Sequence, residues 1–222
     1  MKYTFRLAGK SDFHFLSKVI IEAEKSGSDK IGIAKVFNLT ECELQNYLIQ
    51  MFEQEIEGCE FSYSSFIIAE YNTNPVAAFG GWIENENEYN QLSAVLKSNL
   101  IGYVFPMEKL LELKKSQKII KDILIEREPH THQLEYAYVD ERHRGKGLTH
   151  QIIMELLKLA KNINPSLTKS QVQVFENNKS AIQVYLGAGY KEVKRKESHH
   201  PLILEYLPYN IKIVLEKDLS TF

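Results

Sequence analysis

The sequence predicts an α/β (α+β) fold of one domain carrying a helical insert. Three observations lead there. Segments with strand-like and helix-like hydrophobic periods alternate along the 222 residues. Apolar residues make up 44% of the chain, a normal share for a protein that builds its own core. A block at about residues 85–130, mostly helical in pattern, sits between two strand-like runs. With no internal repeat, low-complexity tract or linker, residues 1–222 read as a single domain.

Residues 3–8 alternate and read as the first strand. Ser11 or Asp12 can cap a helix to about Lys25, with Phe13, Leu16, Ile20 and Ala23 on one face. A loop bearing glycine and serine covers 26–32. Thr40, with Glu43 three residues on, forms a capping box for a second helix over about 41–54. Strands over 65–71 and 76–84 flank the turn Asn72-Thr-Asn-Pro75 and form a hairpin. An acidic turn over 84–89 opens the insert, followed by helical stretches at about 91–99 and 108–126. Pro106 suits the start of the second.

A strand over 132–139 follows, then a short turn, then a helix over 148–161. That helix carries Leu148, Ile152, Leu156 and Ala160 on one face, with Ile153 and Leu157 beside them. Residues 170–175 alternate as a strand. Asn177 or Asn178 caps another helix, which ends at Gly187 and Gly189. Strands over 190–195 and 209–216 complete the order.

Net charge is −2, from 27 basic and 29 acidic residues, which gives no general attraction to nucleic acid or to an anionic membrane. Cys42 and Cys59 form no C-x-x-C pair and have no histidine at metal-ligand spacing, so two reduced thiols and no metal are expected. The start of the chain has no apolar signal-peptide core, and no apolar run nears the ~20 residues that span a bilayer. A soluble, cytoplasmic protein is expected.

The turn between the strand at 132–139 and its helix reads Asp140-Glu-Arg142-His-Arg144-Gly145-Lys146-Gly147. Glycines admit close approach to a bulky ligand, and a helix start offers unpaired N–H groups and a positive dipole end. This is an anion site, biased further by Arg142, Arg144 and Lys146. The spacing does not make a P-loop, since Asp140 stands five residues before Gly145 and Gly147 follows Lys146 where Ser or Thr is needed. A dinucleotide fingerprint fits poorly, with His150 at the third glycine position. What remains is R-x-x-G-x-G as a pyrophosphate cradle, or a turn that merely starts a helix.

The second motif is Asn178-Lys-Ser-Ala181-Ile-Gln-Val-Tyr185-Leu-Gly-Ala-Gly189-Tyr190. With the glycine turn upstream, each in a strand–turn–helix context, the sequence resembles the GCN5-related N-acetyltransferase (GNAT) family over about residues 131–195. The resemblance implies a central, twisted, mixed and mostly antiparallel sheet flanked by helices. Two neighbouring parallel strands, 134–139 and 170–175 by position, would splay to admit acetyl-CoA. It further implies that backbone groups from Arg144 through Gly145, Lys146, Gly147 and Leu148 to Thr149 hold the pyrophosphate, with Arg142 beside them. Ala137, Tyr138 and Val139 would pair with the pantetheine arm and polarise the thioester carbonyl, and Asn178 would meet the cofactor. Thr149 stands where the family often has a small residue.

Attack by the amine is direct in most of the family, and the chain shows no Ser/His/Asp or Cys/His constellation. Glu135 is the candidate base. Strand alternation places Gln133, Glu135, Ala137 and Val139 on one face, with Glu135 about 13 Å from Val139 along the backbone at ~3.3 Å per residue. Such a span suits action through an ordered water; a solvated or arginine-paired carboxylate is the alternative. Tyr185 is the candidate acid for the departing thiolate, or a core tyrosine packed with Ala181 and Ala188. His132 and Tyr138 are weaker candidates, while His143 and His150 read as surface residues. His199 and His200 lie in the loop before the last strand.

In this family the acceptor pocket would be built by about residues 26–39 and 197–208. Glu53, Glu55, Glu57 and Glu60 nearby would favour a polyamine or aminoglycoside if they line its mouth; an acidic solvated helix end is the alternative. The insert would cap the acceptor site or form a homodimer contact. The expected activity is transfer of an acetyl group from acetyl-CoA to a primary amine of a small molecule. A protein or peptide acetyltransferase and a non-catalytic acyl-CoA-binding module are the alternatives.

Overall fold

A computed structural model describes residues 2–88 and 90–222; Met1, and Tyr89 at the end of the expected acidic turn, lie outside the described residues. The order is β1 (Thr4–Leu7), α1 (Phe13–Lys25), α2 (Gly32–Phe37), α3 (Glu41–Glu53), β2 (Phe66–Tyr71), β3 (Asn74–Ile83), α4 (Ser93–Val104), α5 (Met107–Lys121) and β4 (His132–Val139). Then come α6 (Leu148–Ile163), β5 (Lys169–Phe175), α7 (Lys179–Gly187), β6 (Lys191–Glu197), α8 (Ile203–Tyr206) and β7 (Ile211–Asp218). The strands form one sheet in the order β1-β2-β3-β4-β5-β7-β6. Among the described residues only β4 and β5 run parallel; every other pair is antiparallel.

Helices cover both faces, because alternate strand residues are apolar on both. On one face Leu16 and Ile20 of α1 pack with Leu44, Leu48 and Phe52 of α3 against Phe66, Ile68 and Ala78. On the other, Leu148, Ile152, Ile153, Leu156, Leu157 and Ala160 of α6 pack on Ile67, Phe79 and Leu134. The α6 face is the one the 3.6-residue period predicts. The capping box forms as expected: Thr40 Oγ1 accepts from the Glu43 N–H at 3.2 Å, and Glu43 accepts from the Thr40 N–H at 2.7 Å. None of the helices among the described residues is long and apolar enough to cross a membrane.

Two helices were not expected. Short α2 and α8 lie inside segments that read as loops. The insert also shifts: its helices are Ser93–Val104 and Met107–Lys121, with Pro106 at the start of the second as its N-cap. It is part of the core rather than an appendage. Leu96, Leu100 and Phe105 are buried in the α1/α3 layer, where the Phe105 ring meets Phe37 and Tyr47 at 4.9 and 4.7 Å. Ile119 and Ile123 form a smaller cluster with Ile203 of α8.

The tail of the insert delivers Arg127 to a buried ionic cluster. Its guanidinium reaches Glu135 at 2.7 Å and Glu60 at 3.4 Å, and stacks on the Trp82 ring at 5.0 Å. Lys97 of α4 binds Glu60 at 2.6 Å. Trp82 Nε1 donates to Glu84, which also accepts the first N–H of α4, from Ser93, at 2.7 Å. Glu60 is only 1% exposed. Burial alone would raise its pKa, but the charges of Arg127 and Lys97 overcome this and hold it at about 2.

Arg127→Met leaves Glu60 with Lys97 as its one charged partner, so the unfolding free energy in a urea titration should fall by about 3 kcal/mol. A carboxyl depressed in the fold binds protons more readily unfolded. The stability due to Glu60 should therefore be complete above about pH 5 and disappear as pH falls toward 2, visible as a pH-dependent midpoint in wild type that is weaker in the variant.

Candidate active site

Strands β4 and β5 pair only at His132/Ser170, Gln133/Gln171 and Leu134/Val172, although both continue beyond. Past Leu134 they diverge. On the other edge of β4 the register slips: Ala78 faces Tyr138, but Gly80 faces Glu135. β4 thus holds one extra residue there, a bulge, and Tyr136 sits in the left-handed region at φ 61°. The opposing strand accepts this because Gly80 and Gly81, beside the slip, carry no side chains. A Cβ on Gly80 would lie 3.1 Å from the Glu135 carbonyl, and one on Gly81 would lie 2.8 Å from His132 Nε2.

The bulge corrects the expected alternation. Leu134, Ala137 and Val139 pack on the α6 side, whereas Tyr136 and Tyr138 pack on the α1 side. Glu135, next to Leu134, therefore shares the α1 side with Tyr136, opposite to Ala137 and Val139. Gln133, Glu135, Ala137 and Val139 do not form one face.

A cleft of about 750 Å³ opens where the strands part. It is lined by Glu135, Ala137, Tyr138, Val139, Arg144, Gly145, Gly147, Leu148, Thr149, Asn178 and Tyr185, all expected at the site. Gly145 and Gly147 both have φ of 72°, which only glycine adopts at low cost. No side chain caps α6, so its first-turn N–H groups are left for another partner. Arg144 is tied back to the Val139 carbonyl at 3.2 Å. Arg142 and Lys146 do not line the cleft. Arg142 is 86% exposed and bound to Asp140, and Lys146 Nζ donates to the Arg142 carbonyl at 2.8 Å. Asn178 caps α7 through the Ala181 N–H.

Tyr185 serves the core and the cleft together. It is 5% exposed, its ring lies 6.1 Å from Phe79, and burial raises its pKa. Its hydroxyl has no protein partner among the described residues. His132 lies outside the cleft. Its Nδ1 meets Ser170 Oγ at 2.9 Å, Ser170 meets Tyr190 at 2.7 Å, and burial drops the imidazole to about 3, so it stays neutral. His143 faces the cleft but is held by Tyr3 at 3.0 Å. Among the described residues no three His, Cys, Asp or Glu side chains gather as a metal site. Both cysteines are free.

Glu24 and Lys212 also line the cleft, and the sequence reading missed both. Glu24 accepts from the Ile33 N–H at 3.1 Å and from the Tyr136 hydroxyl at 3.2 Å. Burial, and then the charge of Glu135, raises its pKa. Lys212 lies over the Phe175 ring at 5.6 Å, and burial lowers its pKa. A faint signal existed for Lys212, a lysine inside the apolar run Ile211-Lys-Ile-Val-Leu215. Of the two readings of the acidic run, the mouth is not the one seen: Glu53, Glu55, Glu57 and Glu60 do not line the cleft, Glu55 pairs with Lys10, and Glu60 is buried.

A parallel pair that splays at a bulge, facing a glycine turn at an uncapped helix, forms one open cleft between two strands. The profile described as the Acetyltransferase (GNAT) family matches residues 33–190, and the chain belongs to that family. Solved structures agree in fold. The chain is 13% identical to an N-acetyltransferase from Staphylococcus aureus Mu50, with a TM-score of 0.64 over 96% of this chain and 100% of that one. An aminoglycoside acetyltransferase solved with coenzyme A and kanamycin is 15% identical, TM-score 0.53, covering 98% and 95%. A ribosomal-protein-alanine N-acetyltransferase from Brucella melitensis is 12% identical, TM-score 0.54, covering 97% and 99%. No curated protein matches in sequence.

A carboxyl whose pKa is raised by folding costs stability once pH passes its unfolded value. Glu24→Gln removes the charge while its Oε1 can still accept from the Ile33 N–H and its Nε2 can donate to the Tyr136 hydroxyl. It should melt above wild type at pH 8, and the gap should close toward pH 4, as read by thermal denaturation.

Proposed function

We propose that the chain is an acetyl-CoA-dependent N-acetyltransferase acting on a primary amine of a small molecule, with residues 1–222 working as one catalytic domain. The observation that carries this is a single cleft joining an uncapped glycine turn, a bulged strand and a pair of carboxylates. The coenzyme A seen with the aminoglycoside acetyltransferase supports the choice of donor.

The cleft fits the donor by its own chemistry. The N–H groups from Arg144 to Thr149 would hold the pyrophosphate, and the two left-handed glycines allow the backbone to approach it. Ala137, Tyr138 and Val139 would bind the pantetheine arm, and a backbone N–H there would polarise the carbonyl. Acetyl-CoA supplies the acetyl thioester when bound. Asn178, which also lines the cleft, would meet the cofactor at the start of α7.

Transfer requires the acceptor ammonium to lose a proton and the departing thiolate to gain one. Glu24, bonded to the Tyr136 hydroxyl, and Glu135 both line the cleft. Glu24, whose affinity for a proton is raised, takes the ammonium's proton first. Glu135, fixed by Arg127, relays it through water toward solvent. Tyr185 keeps its hydroxyl proton at neutral pH because burial raises its pKa, and holds it for the thiolate.

An amine panel that follows CoA release tests this. Glu135→Gln and Tyr185→Phe should each lower kcat by about 100-fold or more. Unchanged turnover in both would retire these two roles; no release with any amine would retire the transferase reading.

A further inference from the structure

The cleft contains charges of both signs, and most are neutralised. Glu22 pairs with Lys25 at 2.7 Å, Glu135 with Arg127 at 2.7 Å and Arg144 with Glu141 at 3.7 Å. Lys97, outside the cleft lining, belongs to Glu60. Two charged groups remain. Glu24 has only neutral donors, the Ile33 N–H and the Tyr136 hydroxyl. Lys212 has no hydrogen bond or ion pair among the described residues, only the face of Phe175. Both sit where burial penalises their charged forms. They do not form an ion pair with each other, although the charge of Glu24 acts on Lys212.

A half-buried ion without a partner is costly unless something supplies the opposite charge. Here the two are of opposite sign and line one cavity, so a single ligand can satisfy both. Their order along the cleft sets its polarity. Glu24 is bonded to Tyr136, the bulge residue, and so stands beside the strand segment proposed to hold the thioester. Lys212 stands farther along the splayed edge, paired in register with Phe175 at the end of β5.

We propose that the acceptor is a zwitterionic amine, its ammonium received by Glu24 and a carboxylate or other anionic group by Lys212. This rests on the transferase reading and narrows its substrate. A purely cationic polyamine would bring a second positive charge to Lys212, which has no ion-pair partner to offset it among the described residues. A neutral monoamine would leave Lys212 unpaired.

The test uses the full chain with acetyl-CoA and three matched series: ω-amino acids of three to six carbons, their carboxamides, and the corresponding diamines. The readout is the ratio of kcat/KM between series. Wild type should prefer an amino acid over its carboxamide by about tenfold or more, the scale of one charge-assisted hydrogen bond. Lys212→Met should bring that ratio close to one, Lys212→Arg should retain a preference, and Lys212→Glu should move it toward the diamines. Acetyl-CoA binding by thermal shift identifies any variant that has lost its fold. Because the readout is a ratio, a general loss of activity does not mimic the result. Turnover with equal ratios in wild type and all variants overturns this inference alone. No turnover of any amine by wild type overturns the transferase reading and this inference with it.

Discussion

One extra residue in β4 sets the geometry of everything around the cleft. A regular β4 would keep Glu135 on the face of Ala137 and Val139. The slip between Ala78/Tyr138 and Gly80/Glu135 instead places Glu135 and Tyr136 together on the α1 side. A bulge also sharpens the local twist, and β4 pairs with β5 for only three residues. The separation of the strands and the positioning of the carboxylate therefore share a cause. Tyr136 in the left-handed region is uncommon for a bulky residue, and such a conformation persists only where its surroundings hold it. Those surroundings are visible: Gly80 leaves room opposite, Phe61 stacks on the ring at 6.3 Å, and Glu24 accepts from the hydroxyl.

The helical insert bears on the same point from the other side. Its helices contribute Leu96, Leu100 and Phe105 to the core, so its apolar burial holds its tail in place. That tail carries Arg127, which is 14% exposed and sandwiched between Trp82 and two carboxylates. A guanidinium so enclosed stays charged, its pKa pushed upward by Glu60 and Glu135 against the cost of burial. Glu135 is thereby fixed in position and electrically compensated.

What could be read from the sequence follows a physical line. The α6 face, the Thr40 capping box and the Asn178 cap were legible because each is set by residues within four positions of one another. The glycine turn was legible for the same reason. Short α2 and α8 were not, since four to six residues are too few to display a helical period. The bulge was invisible because it depends on a pairing between β3 and β4, more than fifty residues apart in sequence. Glu24 and Lys212 were missed for a related reason. Nothing local distinguishes Glu24 from Glu22, yet one is neutralised by Lys25 and the other opens onto the cleft without a cation.

That difference carries the chemistry further than the motifs do. The glycine turn, the splayed strands and Asn178 concern only the donor side, and members of one family can share them while acetylating unlike amines. Specificity has to come from groups that the scaffold leaves unsatisfied. Arg127 removes Glu135 from that set, Lys25 removes Glu22, and Glu60 holds Lys97. What is left is one carboxylate beside the bulge and one ammonium over Phe175. The two unpaired charges cost the folded protein stability, and a ligand carrying the complementary pair would offset that cost at both ends while turning its amine toward the bulge.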